Sequence, residues 1–333
     1  MQTSQSQPLA LQNLQSISVN NLILSYSNKN IISSAKFSFK GIQGKDVYNI
    51  TSPFLFNGAF YIAARVESRN SEIDSKVMFF KKENNNDWVL DSIAPILNLQ
   101  DPFISIINSE LILGGVEISH SQNIISYKTV FFKGDTIYNL QKFAEGPQGM
   151  KDIRLTQLNN SIGIFTRPQG LIGGRGRIGF FTISSIESLK NLTDKDYLSA
   201  TIITDFLPQE EWIGSNAIYP LTNGQLAILG HIANFSENSQ KNYYPISFCF
   251  NPSTKEISKM KILARREDLP QGESKRPDLK NILFSGGLAR QNDGTAKLYL
   301  GASDAESYEI TIPDPFIDYI NSSAPVSPST KPQ

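Results

Sequence analysis

The chain has 333 residues, 31 of them basic and 31 acidic, with two histidines and one cysteine. With no net charge, it has no bulk attraction to nucleic acid or an anionic membrane, so a phosphate-bearing partner requires a local basic cluster. The lone Cys249 excludes an internal disulfide and a thiolate metal site, and two histidines leave little material for a zinc centre or a Ser-His-Asp triad.

Residues 1–15 are rich in Gln and Ser, lack the basic and apolar segments of a signal peptide, and are expected to form a poorly ordered tail. The Ser/Pro-rich stretch 321–333 is expected to do the same. No apolar run approaches the ~20 residues of a membrane span, which points to a soluble, cytoplasmic protein. Between the tails, over 16–320, short runs of Ile, Leu, Phe, Val and Tyr recur. Val77–Phe80, Leu111–Val116, Thr129–Phe132, Ile162–Thr166, Ile178–Ile183, Leu226–Leu229, Ile246–Phe250 and Lys297–Leu300 are predicted strands. The pairs Asn57-Gly58, Gly134-Asp135, Asn223-Gly224 and Asp293-Gly294 predict tight hairpins between such strands. Helical segments are expected only near Ser184–Asn191, which opens with a Ser-x-x-Glu capping pattern, and Asp194–Ala200. Many short strands without a βαβ rhythm predict an all-β fold, a propeller or a large sandwich.

Polar residues gather where strands end. Arg65-Val-Glu67-Ser-Arg69 puts three charges on one face of an extended strand, as either a solvated edge or a site. Asp101-Pro102 reads as a turn after an apolar stretch. Lys151, Asp152 and Arg154 interrupt a strand-like run, and Arg167 leads into Gly173-Gly-Arg-Gly-Arg177. That loop is either flexible and basic or a backbone nest that grips phosphate, and it lacks the ending of a nucleotide P-loop. His231 closes an apolar strand, as a satisfied core residue or a ligand contact.

Taken in order, Asp101-Pro-Phe, Gly149-Met-Lys-Asp-Ile-Arg154, Phe165-Thr-Arg-Pro168, Gly174-Arg-Gly-Arg-Ile-Gly179, Glu211-Trp-x-Gly-x-Asn216, Gly230-His-Ile-Ala233, Lys275-Arg-Pro-Asp278, Phe284-Ser-Gly-Gly-Leu288 and Ser303-Asp-Ala305 resemble one family. It is the family labelled domain of unknown function 1861 (glycosyltransferase family 108), which includes kinetoplastid mannosyltransferase-phosphorylases of β-1,2-mannan. It is related to the mannoside phosphorylases of glycoside hydrolase family 130. The resemblance spans about Lys40 to Phe316 and implies a five-bladed β-propeller with a central active-site cavity. The activity implied is inverting β-1,2-mannoside phosphorylase or mannosyltransferase, with mannose 1-phosphate, GDP-mannose or inorganic phosphate and β-mannooligosaccharides as partners and no cofactor.

In that resemblance Asp101 corresponds to the catalytic acid. Inorganic phosphate is already an anionic nucleophile and needs only to be held in line, whereas a hydrolase needs a second carboxylate to activate water. The resemblance then implies that Arg154, Arg167, His231, Tyr243, Lys275 and Arg276 bind phosphate. Arg65, Glu67, Arg69, Asp152, Glu211, Asn216, Tyr244 and Asp304 are left to meet mannose, with Trp212 and Tyr244 as sugar platforms or core. Gln100, Asn242 and Asn281 stand where the family pattern has acidic or histidine residues. A plain β-mannoside hydrolase and a non-catalytic carbohydrate-binding propeller remain as alternatives.

Overall fold

Strand follows strand in antiparallel meanders, as the short apolar runs and turn signals require. The computed structural model describes residues 17–321 apart from 72, 122–123 and 237, so the tails expected at 1–15 and 321–333 lie outside the described residues except for Asn321, which ends a short helix, Ile317–Asn321. The first meander comprises Asp46–Tyr48, Phe54–Phe56, Ala59–Glu67, Lys76–Lys82 and Asp87–Leu90. The second runs Gln100–Ile107, Glu110–Ser121, Ile124–Lys133 and Gln141–Glu145. Arg154–Gln157, Ile162–Thr166, Gly179–Ile183 and Thr201–Ile202 make the third, and Trp212–Pro220, Leu226–Phe235, Lys241–Phe250 and Lys261–Ile262 the fourth. Asn281–Arg290, Thr295–Ala302 and Glu306–Pro313 form the fifth, joined to the fourth where Asn242 and Tyr243 pair in parallel with Asn281 and Ile282.

The N-terminal strands tie the ends together. Ser33–Lys36 adds antiparallel to Glu306–Pro313 of the fifth meander, and Ser38–Lys40 adds parallel to Asp87–Leu90 of the first. Apolar packing follows the same circuit, because each strand presents alternate residues to opposite faces. Phe165 and Phe180 of the third meander meet Phe250 of the fourth, with ring centroids 5.8 and 4.9 Å apart. Phe37 lies between Trp88 and Tyr299, 5.5 and 6.3 Å away, and so links the first meander to the fifth. Every joint between successive meanders, the return from fifth to first included, holds an apolar cluster among the described residues. A fully buried Phe or Leu in such a joint stabilises by about 1.5–3 kcal/mol.

Three expectations change in detail. Gly134-Asp135 opens a loop from 134 to 140 rather than a tight hairpin. The capping box expected at Ser184 falls at Thr193, whose amide and hydroxyl both donate to Asp196 Oδ2 at 2.7 Å, and the segment before it is a 3-10 helix, Ile186–Asn191. Asp101-Pro102 is no turn: the strand runs through it with a bulge between Gln100 and Phe103. Proline is tolerated there because a bulge leaves one amide outside the ladder.

Candidate active site

Irregular backbone at the inner strands aims polar side chains at the centre. Bulges fall at Asp101, at Asn216 between Ser215 and Ala217, and at Gly286 between Ser285 and Gly287. Asn49, Asp101, Asp152 and Asp304 all have left-handed backbone, with φ of 47°, 48°, 61° and 51°. Asn and Asp are the side-chain-bearing residues that accept this conformation most readily, because they can hydrogen-bond locally. The side chains then link meander to meander. Arg65 reaches Asp101, the Arg154 guanidinium lies 3.9 Å over the Phe103 ring, Arg154 Nε donates to Asn216 O at 2.8 Å, and Asn216 Nδ2 donates to Ser285 O.

One wall is acidic. Asp101 Oδ1 accepts from Asn49 Nδ2 at 2.7 Å and from Arg65 Nη1 at 3.1 Å. Burial raises the proton affinity of Asp101, but Arg65, Lys151 and the Asn49 amide outweigh it and hold the carboxyl below its ordinary range. Its side chain is still 15% exposed. Arg65 also pairs with Glu67 at 3.0 Å, and Lys275 donates to the same carboxylate. Asp304 lies among these charges with its proton affinity raised, by burial first and by Asp101 and Glu67 next, against Arg65 and Lys275.

The opposite wall is basic, and its cations are held differently. Arg167 Nε donates to Ile213 O at 3.1 Å and Nη2 to Arg175 O at 3.4 Å. Its Nη1 lies 3.3 Å from Asp152 Oδ2 yet makes no hydrogen bond. Glycine is required on both sides: a Cβ at 176 would sit 2.7 Å from Arg167 Nε, and one at 214 would sit 2.6 Å from His231 Cε1 and 3.0 Å from Arg167 Cδ. His231 Nδ1 bonds Asn216 Oδ1 at 2.7 Å, and its ring lies 5.4 Å from that of Tyr243. Burial, with Arg167, Lys151 and Arg154 nearby, pushes the imidazole pKa down to about 3, so His231 is neutral at physiological pH. Asp152 is held at about 2: burial would raise it, but Arg167, His231, Lys151 and Arg154 prevail.

Between the walls lies a cavity of about 320 Å³ whose lining includes Asp101, Lys151, Arg167, Arg175, Trp212 and Tyr243. A larger groove of about 880 Å³, bordered by Phe54, Leu111, Lys133 and Phe143, contains none of the expected site residues. Several expected residues stand apart from the cavity. Arg154 is 3% exposed and donates to the carbonyls of Asn216 and Ile153, so it braces the floor. The Glu211 carboxylate accepts both of its bonds from the amide of Val19, at 3.0 and 2.9 Å, and so fastens a helix at Val19–Leu24 that the sequence did not announce. Arg69 is bound to Asp46 and to Glu273, and the half-exposed Arg276 to Asp278 at 3.1 Å. Tyr244 points away from Tyr243 and packs into the apolar joint between the third and fourth meanders.

The glycine-rich loop is not a phosphate nest. Gly170 and Gly174 exchange backbone hydrogen bonds at 2.8 Å, and Arg177 donates to the carbonyls of Gly176, Leu207, Pro208 and Glu211. Arg175 alone reaches the cavity, paired with Glu210 at 3.1 Å. The roles assigned from the sequence omit Asn49 and Lys151. The signal for Asn49 is its backbone conformation, which a sequence does not display, whereas Lys151 stood beside Asp152 as a visible polar interruption. Trp212 lines the cavity, with Nε1 donating to Tyr243 Oη at 3.0 Å. Among the described residues no group of three His, Cys, Asp or Glu side chains is placed to hold a metal ion, and no helix is long and apolar enough to cross a membrane.

This arrangement has counterparts among solved structures. MPT-4, a mannose phosphorylase from Leishmania mexicana solved with a phosphate ion, is 32% identical, with a TM-score of 0.81 over 89% of this chain and 93% of that one. MPT-1, a GDP-Man-dependent mannosyltransferase from the same organism, is 30% identical, with a TM-score of 0.81 over 90% and 95% of the two chains. The β-1,2-mannobiose phosphorylase of Listeria innocua shares the fold, with 13% identity and a TM-score of 0.55 over 84% and 93%. No curated protein matches the chain. The family described as "Protein of unknown function (DUF1861)" matches residues 25–318, nearly all of the described structure, and the chain belongs to that family.

Proposed function

We propose that the protein is an inverting β-mannoside phosphorylase or mannosyltransferase, moving mannose between mannose 1-phosphate or GDP-mannose and β-1,2-linked mannooligosaccharides. Residues 16–320 act in this reading as one catalytic unit, a five-bladed propeller. Five meanders and five apolar joints support that count. Arg167 carries the functional reading. Carbonyls fix its guanidinium, Asp152 at 3.3 Å is the one carboxylate facing it among the described residues, and its Nη1 makes no hydrogen bond; with Lys151 beside it, the cavity wall keeps positive charge for an anion across from Asp101. Tyr243 adds a hydrogen bond and Lys151 adds charge at the cavity, and the buried, neutral His231 backs the Tyr243 ring.

In the phosphorolytic direction a phosphate oxygen, held by Arg167, attacks the anomeric carbon from the face opposite the leaving sugar. The glycosidic C–O bond breaks, and its oxygen takes the proton of Asp101. The products are mannose 1-phosphate and a shortened chain, and Asp101 regains its proton from water. Arg65 and Lys151 keep Asp101 ionised in the empty cavity. Entry of a phosphate dianion offsets these cations and raises the proton affinity of Asp101, which couples protonation to nucleophile binding. Asp304, with no hydrogen-bond partner among the described residues, offers its carboxylate to a sugar hydroxyl.

Chromatography after incubation with β-1,2-mannobiose, with and without phosphate, tests the reading. Mannose 1-phosphate formed only with phosphate is the expected result. Free mannose without phosphate dependence selects a hydrolase, and sugar binding with no product from either donor selects a carbohydrate-binding propeller.

A further inference from the structure

The sequence assigns Glu67 to the sugar, yet its carboxylate is completely buried. Four side chains donate to it: Tyr48 Oη, Ser75 Oγ, Lys275 Nζ, and Arg65 Nη2 to both oxygens at 3.1 and 3.0 Å. An ionised carboxylate offers about four lone-pair sites, so Glu67 has no capacity left for a sugar hydroxyl. Its effect passes through Arg65. That one guanidinium donates from Nη1 to Asp101 at 3.1 Å, from Nη2 to Glu67 and from Nε to Ser75 at 3.2 Å, so every edge of the fork is assigned.

We propose that Glu67 is a positioning residue for the acid. It holds Arg65 and Lys275, fixes the guanidinium edge that faces Asp101, and shares the charge of that edge so that Asp101 can carry a proton. The inference rests on the reading of Asp101 as the acid. The charged groups around the pair come from every neighbouring element: Arg65 from the first meander, Lys151 and Asp152 preceding the third, and Lys275 and Asp304 near the fifth. Without the negative charge at position 67, Asp101 becomes the only carboxylate bound to Arg65, and Lys275 stands beside it unneutralised. Both changes favour ionised Asp101, so its proton is lost at lower pH.

The test compares the pH dependence of kcat/KM for phosphorolysis of β-1,2-mannobiose in the native protein and in Glu67→Gln, with Asp101→Asn measured alongside. Titration of phosphate is common to all three, so differences belong to the protein. The expected result is a basic limb moved to lower pH by about one unit, roughly tenfold less activity on that limb, with kcat falling more than KM rises. If Glu67→Gln does not fold, the charge-balanced Glu67→Gln/Lys275→Gln variant replaces it and, with the Lys275 charge also gone, should show a smaller displacement in the same direction. A limb that stays in place in a folded variant, or a rise in KM alone as a sugar ligand would give, overturns the inference. Activity retained by Asp101→Asn overturns the proposed acid itself, so the two failures are distinguishable.

Discussion

The two walls of the cavity handle charge in opposite ways. On the acidic wall, Asp101, Glu67 and Asp304 face Arg65 and Lys275, and most contacts run from side chain to side chain. On the basic wall Arg167, like Arg154 in the floor, is held mainly by backbone carbonyls, and a single carboxylate, Asp152, faces both together with Lys151. A carbonyl orients a guanidinium without cancelling its charge, whereas a carboxylate does both. The first wall, with three carboxylates against two cations, has no surplus of positive charge and is suited to exchanging a proton. The second keeps a net positive charge at the cavity, where it attracts an anion.

The contrast can be broken most sharply at Asp101. Asp101→Asn should lower turnover by about 10²–10⁴-fold, and Arg65 keeps Glu67 as its partner, so the thermal transition should barely move; joint loss of activity and folding would count against the assignment. On the basic wall, Arg167→Lys keeps the charge but loses the planar fork, and should weaken the response to phosphate by roughly ten- to a hundredfold at about 1.5–3 kcal/mol per charged contact. A phosphate titration of the initial rate measures this, and an unchanged half-saturation point would remove Arg167 from the anion site.

A subtler difference concerns acid. Folded His231 stays neutral down to about pH 3, whereas in the unfolded chain it takes up a proton near 6.5. Below pH 6.5 the unfolded state thus binds more protons, and stability falls as pH falls. The loss is about 2 kcal/mol between pH 6.5 and 5, since each unit is worth about 1.4 kcal/mol. Asp152 continues the trend below its ordinary value. His231→Gln should flatten the upper part of this curve in urea denaturation, and parallel curves for the two proteins would refute the burial account. The smallest effect is expected at Arg276, which is bound to Asp278 outside the cavity lining. Arg276→Ala should change the phosphate response less than about twofold, within the range of surface substitutions.

Much of the fold is legible because it depends on local pattern. The predicted runs at Val77–Phe80, Leu111–Val116 and Ile246–Phe250 all lie inside observed strands, since alternation and turn residues act over a few positions. Asp101 and Arg167 line one cavity, and His231 is buried close to Asp152 and Arg167. What escapes the sequence is the partner of each charge. Glu211 binds an amide 192 residues away, and Lys275 meets Glu67 across 208. Arg154 and Arg167 look alike in one dimension, and only packing decides that Phe103 covers the first while Gly176 and Gly214 leave the second beside the cavity.

The pairing of Ser33–Lys36 with the last long strand has a consequence for how the enzyme comes into being. Ser33 and Thr311 are 278 residues apart, yet their hydroxyls meet at 3.0 Å. During synthesis the N-terminal strand has no partner until nearly the entire chain has emerged, and so distant a contact forms late and slowly. Arg65 and Asp101 come from the first two meanders and Asp304 from the fifth, so the acidic wall is complete only once the fifth meander lies against the first. A nascent chain arrested before residue 306 can be rich in sheet and still lack the strand that joins its two ends.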